Sequence, residues 1–286
     1  MSRRRELSQR LAALTDIAGI MSAMKSLALM ETRILRDFLA SQSRMVAGIE
    51  VAAADFLAWH GEFAPTPERQ RELCVLIGSE QSFCGDFNEV IVERIQTICG
   101  GEDALDRWIP VGTRLCAKLG DHPRTARSLP GATVADEVPA ILLRLTKEIN
   151  HLLAMPEMAG HGLSTLYHCD ATGDIRLRRL LPLRDLPPPV QHPYPAELNL
   201  PPAEFLAGLT RHYLYAVLNE VLYSSLMAEN KQRQSHMDRA LQRLEEKTQQ
   251  LQLAYNARRQ EEITEEIEII LLCADMSDMS VRRPVN

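Results

Sequence analysis

Residues 203–275 read AEFLAGLTRHYLYAVLNEVLYSSLMAENKQRQSHMDRALQRLEEKTQQLQLAYNARRQEEITEEIEIILLCAD, with no proline and one glycine, Gly208. Strong helix formers fill most of these positions. At 1.5 Å per residue, one helix of this length would run about 110 Å. No single globular domain buries such a rod, so the segment needs a partner helix, a partner protein or both. Met237, Leu241, Leu244, Thr248, Leu251 and Tyr255 alternate by four and three over nearly three heptads, the spacing of a coiled-coil seam. Nearer its start the apolar band widens through Leu206, Leu209, Tyr213, Val217, Val221 and Leu226, which predicts burial on more sides.

The only other segment long enough to pair with it is the N-terminus. Leu7, Leu11, Leu14, Ala18, Met21, Lys25 and Ala28 make one stripe, and Ile20, Met24, Leu27, Ile34 and Phe38 make a second beside it. Two stripes give a broader apolar band than a two-helix seam requires. Proline is absent until Pro65, so residues 3–58 read as one helix, ended by Gly61 and Pro65-Thr66-Pro67. Residues 1–48 hold eight basic against four acidic side chains, net +4; residues 203–275 hold eight against twelve, net −4. Helices of opposite sign suit one another, although salt screens the attraction.

Between them lies an alternating pattern. Leu73-Cys74-Val75-Leu76-Ile77-Gly78 is a short apolar run closed by glycine, a buried strand by pattern. Helical spacing follows over 88–98, then a strand at Trp108–Gly112, a helix at 114–119 and a helix at 135–155 with Pro139 near its start. Leu163–His168 is a third strand and 175–183 a fourth. Alternation of strand and helix implies a small parallel α/β sheet. Seven prolines between Pro187 and Pro202 make a stiff connector back to the long helix. The fold class is therefore mixed α+β, mainly α. An antiparallel coiled coil of N- and C-terminal helices (1–60 and 200–276) carries an inserted, small Rossmann-like α/β domain (68–190).

Composition excludes several functions. The net charge of −6 argues against general nucleic-acid binding. The longest apolar run, Ile269–Ala274, is six residues, whereas a membrane span needs about 20, so no direct membrane span is expected. Arg10 and Asp16 interrupt any leader-like apolar core. The six cysteines form no C-x-x-C, which predicts reduced thiols of a cytosolic protein, and the eight histidines show no metal spacing. His236 is placed on the surface of the long helix.

The loop Gly78–Asn88 follows a strand and precedes a helix, where phosphate-cradling loops occur. It has neither G-x-x-x-x-G-K-[ST] nor G-x-G-x-x-G, so a structural turn is expected. Cys84 has no base near it in sequence and is not read as a nucleophile. No catalytic residue, cofactor or metal is expected. Glu261, Glu262, Glu265, Glu266 and Glu268 read as a solvated helix face or, with Arg258 and Arg259, as a charge-switched contact surface.

Four segments carry a specific resemblance. Leu251-Gln-Leu-Ala-Tyr255-Asn256-Ala-Arg258-Arg259-Gln260-Glu-Glu-Ile263-Thr264-Glu265-Glu266-Ile267 resembles the closing motif L-x-L-x-Y-N-x-x-R-Q-x-x-I-T-x-E-[LI] of the gamma subunit of F-type ATP synthases. Ser225–Asn230 resembles that family's S/N-L-x-S/A-E segment. Gly19–Ala28 is similar to its K-I-T-x-A-M-x-x-V-A helix, and Phe83-Cys84-Gly85-Asp86-Phe87-Asn88 to its G-L-C-G-x-[LF]-N turn. Order and spacing agree over the whole chain. Ser82 stands where the family has the turn's first glycine, the basic residue before it is absent, the glutamate belt is heavier, and the family's lysines around Met21 and Ser22 are missing. These departures resemble a divergent branch, such as an alternate ATPase.

The resemblance implies a non-catalytic rotor shaft. It places Arg258, Arg259, Gln260 and Thr264 near a loop of a catalytic subunit, with Met24 and Lys25 facing the same collar. It places Tyr194 and Glu197 at the foot, against the epsilon subunit and the membrane c-ring. The implied partners are a three-plus-three ring of alpha and beta subunits, epsilon and the c-ring, at the cytoplasmic face of the inner or plasma membrane. The competing expectation is a non-rotary scaffold, a coiled-coil arm with an α/β module that binds a ligand after Gly78.

Overall fold

The structure, a computed structural model, describes residues 2–65, 71–99, 105–190 and 192–281. Helix α1 spans Ser2–Trp59 and helix α5 spans Pro202–Val281. Between them follow β1 (Glu72–Ile77), α2 (Phe87–Cys99), β2 (Leu105–Val111), α3 (Thr113–Leu119), α4 (Val138–Leu153), β3 (Gly162–His168) and β4 (Ile175–Leu181). Position 68, the expected start of the middle segment, lies outside the described residues, as do Thr66 and Pro67. Pro202 opens α5 at its first helical position, where its missing N–H costs nothing. Packing groups the chain into two units, Leu27–His236 and a pairing of Met1–Ser26 with Met237–Asn286.

In the paired-ends unit the two helices run antiparallel. Arg4 Nε lies 3.3 Å from the Glu262 carboxylate, and Lys25 donates to Asp238. Position 4 meets 262 while 25 meets 238, so one chain ascends as the other descends. On α5, Met237 is buried, and Leu241, Leu244, Thr248, Leu251 and Tyr255 are half-buried, the six positions of the heptad reading. On α1, Leu7, Leu11, Leu14, Ala18 and Met21 are half-buried opposite them. Flanking residues stay exposed, so this is a narrow seam that buries one stripe per helix.

The Leu27–His236 unit is layered. Its sheet has the order β2-β1-β3-β4, with β1 parallel to both neighbours. Strand β4 is antiparallel to β3, so the sheet is mixed and not all-parallel. The reason is the connection. Cys169–Asp174 make a six-residue turn closed by Cys169 N–H to Asp174 O at 2.9 Å, whereas a parallel return needs a crossover of about a dozen residues or more.

Alternation along β1 sorts the two faces. Cys74 and Leu76 point to Phe87, Ile91, Ile95 and Leu115 of α2 and α3. Leu73, Val75 and Ile77 point to the larger core, which takes in α4, the α1 stretch from Leu35 to Ala53, and α5 from Tyr213 to Met227. Full burial of a side chain such as Leu35 or Val217 is worth about 1.5–3 kcal/mol. Phe38 stacks on Tyr223 at 5.5 Å and Phe56 meets Phe205 at 5.1 Å, so the helices are antiparallel here too.

Most of the second α1 stripe is not buried. Ile20 and Leu27 are 63% exposed, and Ile34 and Phe38 are also open. By length and composition alone α1 is apolar enough to cross a membrane, and hardly any of its most apolar stretch is covered.

Burial leaves a testable mark on the core. The Cys74 thiol, fully enclosed in β1, is pushed up to about 12 by desolvation, and burial likewise pushes Tyr213 up to about 12. Each folded pKa exceeds its unfolded value. The stabilising contribution is therefore complete below the unfolded pKa, near 9 for the thiol, and is lost as pH rises toward the folded value. Stability should fall by about 2–3 kcal/mol between pH 9 and 11 from Cys74 alone. Urea midpoints at the two pH values check this, and Cys74→Ala should flatten the slope; an unchanged slope would mean the thiol meets water.

Candidate partner-binding surfaces

The residues expected at one collar stand at two levels. Lys25 is tied to Asp238, and Met24 beside it is half-buried. Arg258 lies twenty residues further along α5 from Asp238, about 30 Å at helical rise. Met24 and Lys25 therefore stand well below Arg258–Thr264 along the seam. The two groups sit apart because antiparallel pairing sets position 4, not 25, against the closing motif.

At the upper level the side chains differ in availability. Arg258 Nη1 donates to Glu261 Oε2 at 2.6 Å, which raises the guanidinium pKa above its ordinary value. Thr264 spends its hydroxyl on the Gln260 carbonyl at 3.0 Å. Arg259 and Gln260 are exposed. Glu262 is held against Arg4, while Glu261, Glu265, Glu266 and Glu268 face solvent. Large apolar side chains share this unit's surface. Ile20 is 63% exposed and Leu253 72%, and Ile263, Ile267 and Ile269–Leu272 are open as well. A run of uncovered isoleucine and leucine on a helix marks a candidate interaction surface.

Tyr194 and Glu197 lie on the connector between β4 and α5, and both are exposed, Tyr194 at 78%. Tyr194 lines a groove of about 420 Å³ with Phe56, Trp59, His192, Pro195 and Phe205; Glu197 does not. Asp55 anchors the connector by accepting the Val190 N–H at 2.6 Å.

The loop after Gly78 is occupied by its own side chains. Glu80 Oε2 accepts the N–H groups of Thr113 at 2.8 Å and Gly131 at 2.7 Å, and Oε1 accepts the Thr113 hydroxyl at 2.7 Å. These donors cluster where a Rossmann-like domain would bind an anionic ligand, and here an internal carboxylate already fills the place. Glu80→Ala should cost about 1–3 kcal/mol by orphaning those donors. Phosphate should then raise the melting temperature of the variant but not of the parent chain; equal responses would show that Glu80 plugs nothing.

Beyond Glu80 the loop is latched to α5. Glu229, 3% exposed, accepts the N–H groups of Glu80 at 3.3 Å and Gln81 at 3.1 Å, and Arg233 at 2.5 Å. Arg233, 4% exposed, also donates to Ser82 O at 3.3 Å. Burial and the Glu229 charge push the Cys84 thiol up to about 11, so at neutral pH it is an inert thiol. Phe83 has φ 67° and is half exposed at the loop tip. His236, expected on the surface, is half-buried beside Gly85. Among the described residues no group of three His, Cys, Asp or Glu could hold a metal, and Cys74, Cys84, Cys99, Cys116 and Cys169 are free thiols.

The motif reading missed Arg178, Glu50 and Glu220, which join β4 to α1 and α5. The only signal was three arginines within one short strand, Arg176, Arg178 and Arg179, too many for a buried strand without carboxylate partners.

A self-filled loop and uncovered apolar helix faces are the features of a structural subunit rather than of a ligand-binding module. The ATP synthase family model matches residues 3–274. The chain is 24% identical to an ATP synthase gamma chain from Chlorobaculum parvum, over 95% of this chain and 97% of that one. A chain in the Euglena gracilis mitochondrial ATP synthase OSCP/F1/c-ring structure, rotational state 3, superposes with TM-score 0.64 at 15% identity, over 100% of this chain and 98% of that one. The rotor of the same enzyme in rotational state 1 gives 0.60 at 15%, over 92% and 99%. The Tetrahymena thermophila mitochondrial central stalk/c-ring gives 0.59 at 16%, over 77% and 99%. The chain belongs to the gamma-subunit family of ATP synthases, the non-catalytic central-stalk subunits of that membrane-associated complex.

Proposed function

We propose that this chain is the rotor of its complex, coupling ion flow through a membrane ring to conformational change at catalytic sites by rotation. The observation that carries this is the paired-ends unit, an antiparallel two-helix seam with uncovered apolar and charged faces. Two helices have no threefold symmetry. Inside a three-plus-three ring of alpha and beta subunits they present a different face to each catalytic subunit. Contacts that differ in free energy favour different conformations, and rotation exchanges those preferences. Nucleotide affinity then follows by linkage.

Arg258, Arg259, Gln260 and Thr264 form the upper contact with the ring, Met24 and Lys25 a lower one. Tyr194 and Glu197 serve the foot, toward epsilon and the c-ring. The complex sits peripherally at the cytoplasmic face of the inner or plasma membrane. The apolar stretch of α1 lies against protein and not in lipid, because Arg4 and Lys25 on the same helix are committed to Glu262 and Asp238. The scaffold reading loses its support at Glu80, which fills the place a ligand would take.

The test replaces Arg259 and Gln260 together by alanine in the reconstituted complex. Coupling between ATP hydrolysis and ion transport should drop by about tenfold or less, the range of one or two lost charge-assisted contacts. Unchanged coupling rejects their role. A chain that forms a stable homodimer, and does not join the ring one to one, rejects the rotor reading itself.

A further inference from the structure

Apolar burial joins the sheet to the helices of the Leu27–His236 unit, and burial is non-directional: it resists separation far better than sliding. One side chain supplies direction toward both helices. From β4, Arg178 donates through Nη2 to Glu50 Oε1 of α1 at 2.6 Å and through Nη1 to Glu220 Oε2 of α5 at 2.8 Å. Its side chain is 24% exposed, and those of Glu50 and Glu220 are 20% and 16%. Burial works against the guanidinium charge, but the hydrogen bonds it donates to the two carboxylates outweigh it and raise its pKa. The Glu229 latch ties the sheet's loop to α5 but does not reach α1. Among the interactions described for this unit, Arg178 is the ion-paired side chain that touches both helices from the sheet.

We propose that Arg178 is a positioning residue that keys the sheet to both helices at once, so that torque entering through either is passed to the other without slip. This rests on the rotor reading above. A shift of one residue along either helix moves a carboxylate by about 1.5 Å, enough to break a hydrogen bond of ordinary length. The guanidinium is planar with fixed donor directions, so two carboxylates on different helices also fix the register of those helices against each other. A lysine supplies one charge but not the fork.

The test uses the complete complex reassembled in ion-tight vesicles, with hydrolysis and ion uptake measured together using proton- and sodium-sensitive dyes. Arg178→Met removes the key and keeps the length. Because it leaves two half-buried carboxylates facing each other, the triple variant Arg178→Met/Glu50→Gln/Glu220→Gln is the second arm, with no uncompensated charge. The expected result is near-parental hydrolysis with ions moved per ATP down about threefold or more, and only partial recovery in Arg178→Lys. A triple variant that melts like the parent and keeps the parental ratio overturns the key and leaves the rotor reading intact. A parent complex that hydrolyses ATP without moving ions overturns both.

Discussion

Replacing Glu229 by alanine is expected to lower the unfolding free energy of the chain by about 3–5 kcal/mol, the cost of leaving one member of a buried ion pair without its partner. Arg233 would keep its charge at 4% exposure, with neutral acceptors alone to receive it, Asn230 Oδ1 at 3.1 Å, the Ser82 carbonyl at 3.3 Å and Cys84 Sγ at 3.6 Å. The N–H groups of Glu80 and Gln81 would lose their acceptor as well. The pair is not a large net gain as it stands. Burial raises the Glu229 carboxyl pKa even with Arg233 and two N–H groups beside it, so the ionised form is held at a cost. That distinction makes the experiment decisive. Urea midpoints of Glu229→Ala, Arg233→Met and the double variant form a cycle. The double variant should cost clearly less than the two single losses together, since it leaves no buried charge. Additive losses would mean that the two side chains do not meet.

How much of this was open to reading from the sequence depends on the range over which each feature is encoded. The paired helices are local and periodic. The 237–255 heptads name the residues that the seam half-buries, and α1 differs from its sequence boundaries by one residue at each end. Strands β1, β2 and β3 were legible as apolar runs, and 175–183 as a fourth strand despite its arginines. The direction of β4 was not, because strand composition is silent on pairing; the short turn at Cys169–Asp174 was the available signal. The axial spacing of the proposed ring contacts was not legible either. Motif resemblance names residues without an axial ruler, and only the pairing of Arg4 with Glu262 shows how far Met24 stands from Arg258. The second stripe of α1 read as part of an apolar band wider than a two-helix seam requires, and the structure leaves its Ile20, Leu27, Ile34 and Phe38 exposed. Arg178 and Glu80 were beyond reach. Their partners lie 128 and 42 residues away for Arg178, and 33 and 51 for Glu80, and no local period links such positions.

The same loop region yields the second large effect, Gly112→Ala, expected to cost about 3 kcal/mol or more because two independent penalties coincide. Gly112 follows β2 with φ 110°, a conformation that side chains rarely adopt. A Cβ there would also stand 2.7 Å from the Gly78 carbonyl oxygen and 2.8 Å from that of Ser79. These are backbone atoms of the neighbouring strand end. They cannot rotate aside, since Gly78 N–H is bound to Val111 O and Ser79 O receives the Arg114 N–H. Relief would have to move the β1 loop, and with it Glu80 and the stretch held by Glu229. Gly120→Ala separates the two penalties. Gly120 also has positive φ, 54°, but nothing lies within 4 Å of its Cβ position. It should lose only the about 1–3 kcal/mol of backbone strain that its sparsely populated φ/ψ imposes on a side chain. Thermal melts of the two variants therefore measure the close approach by difference. Equal losses would mean that the ends of β1 and β2 are looser than the structure draws them, and the Glu80 plug, which depends on the same closeness, would fall with that result.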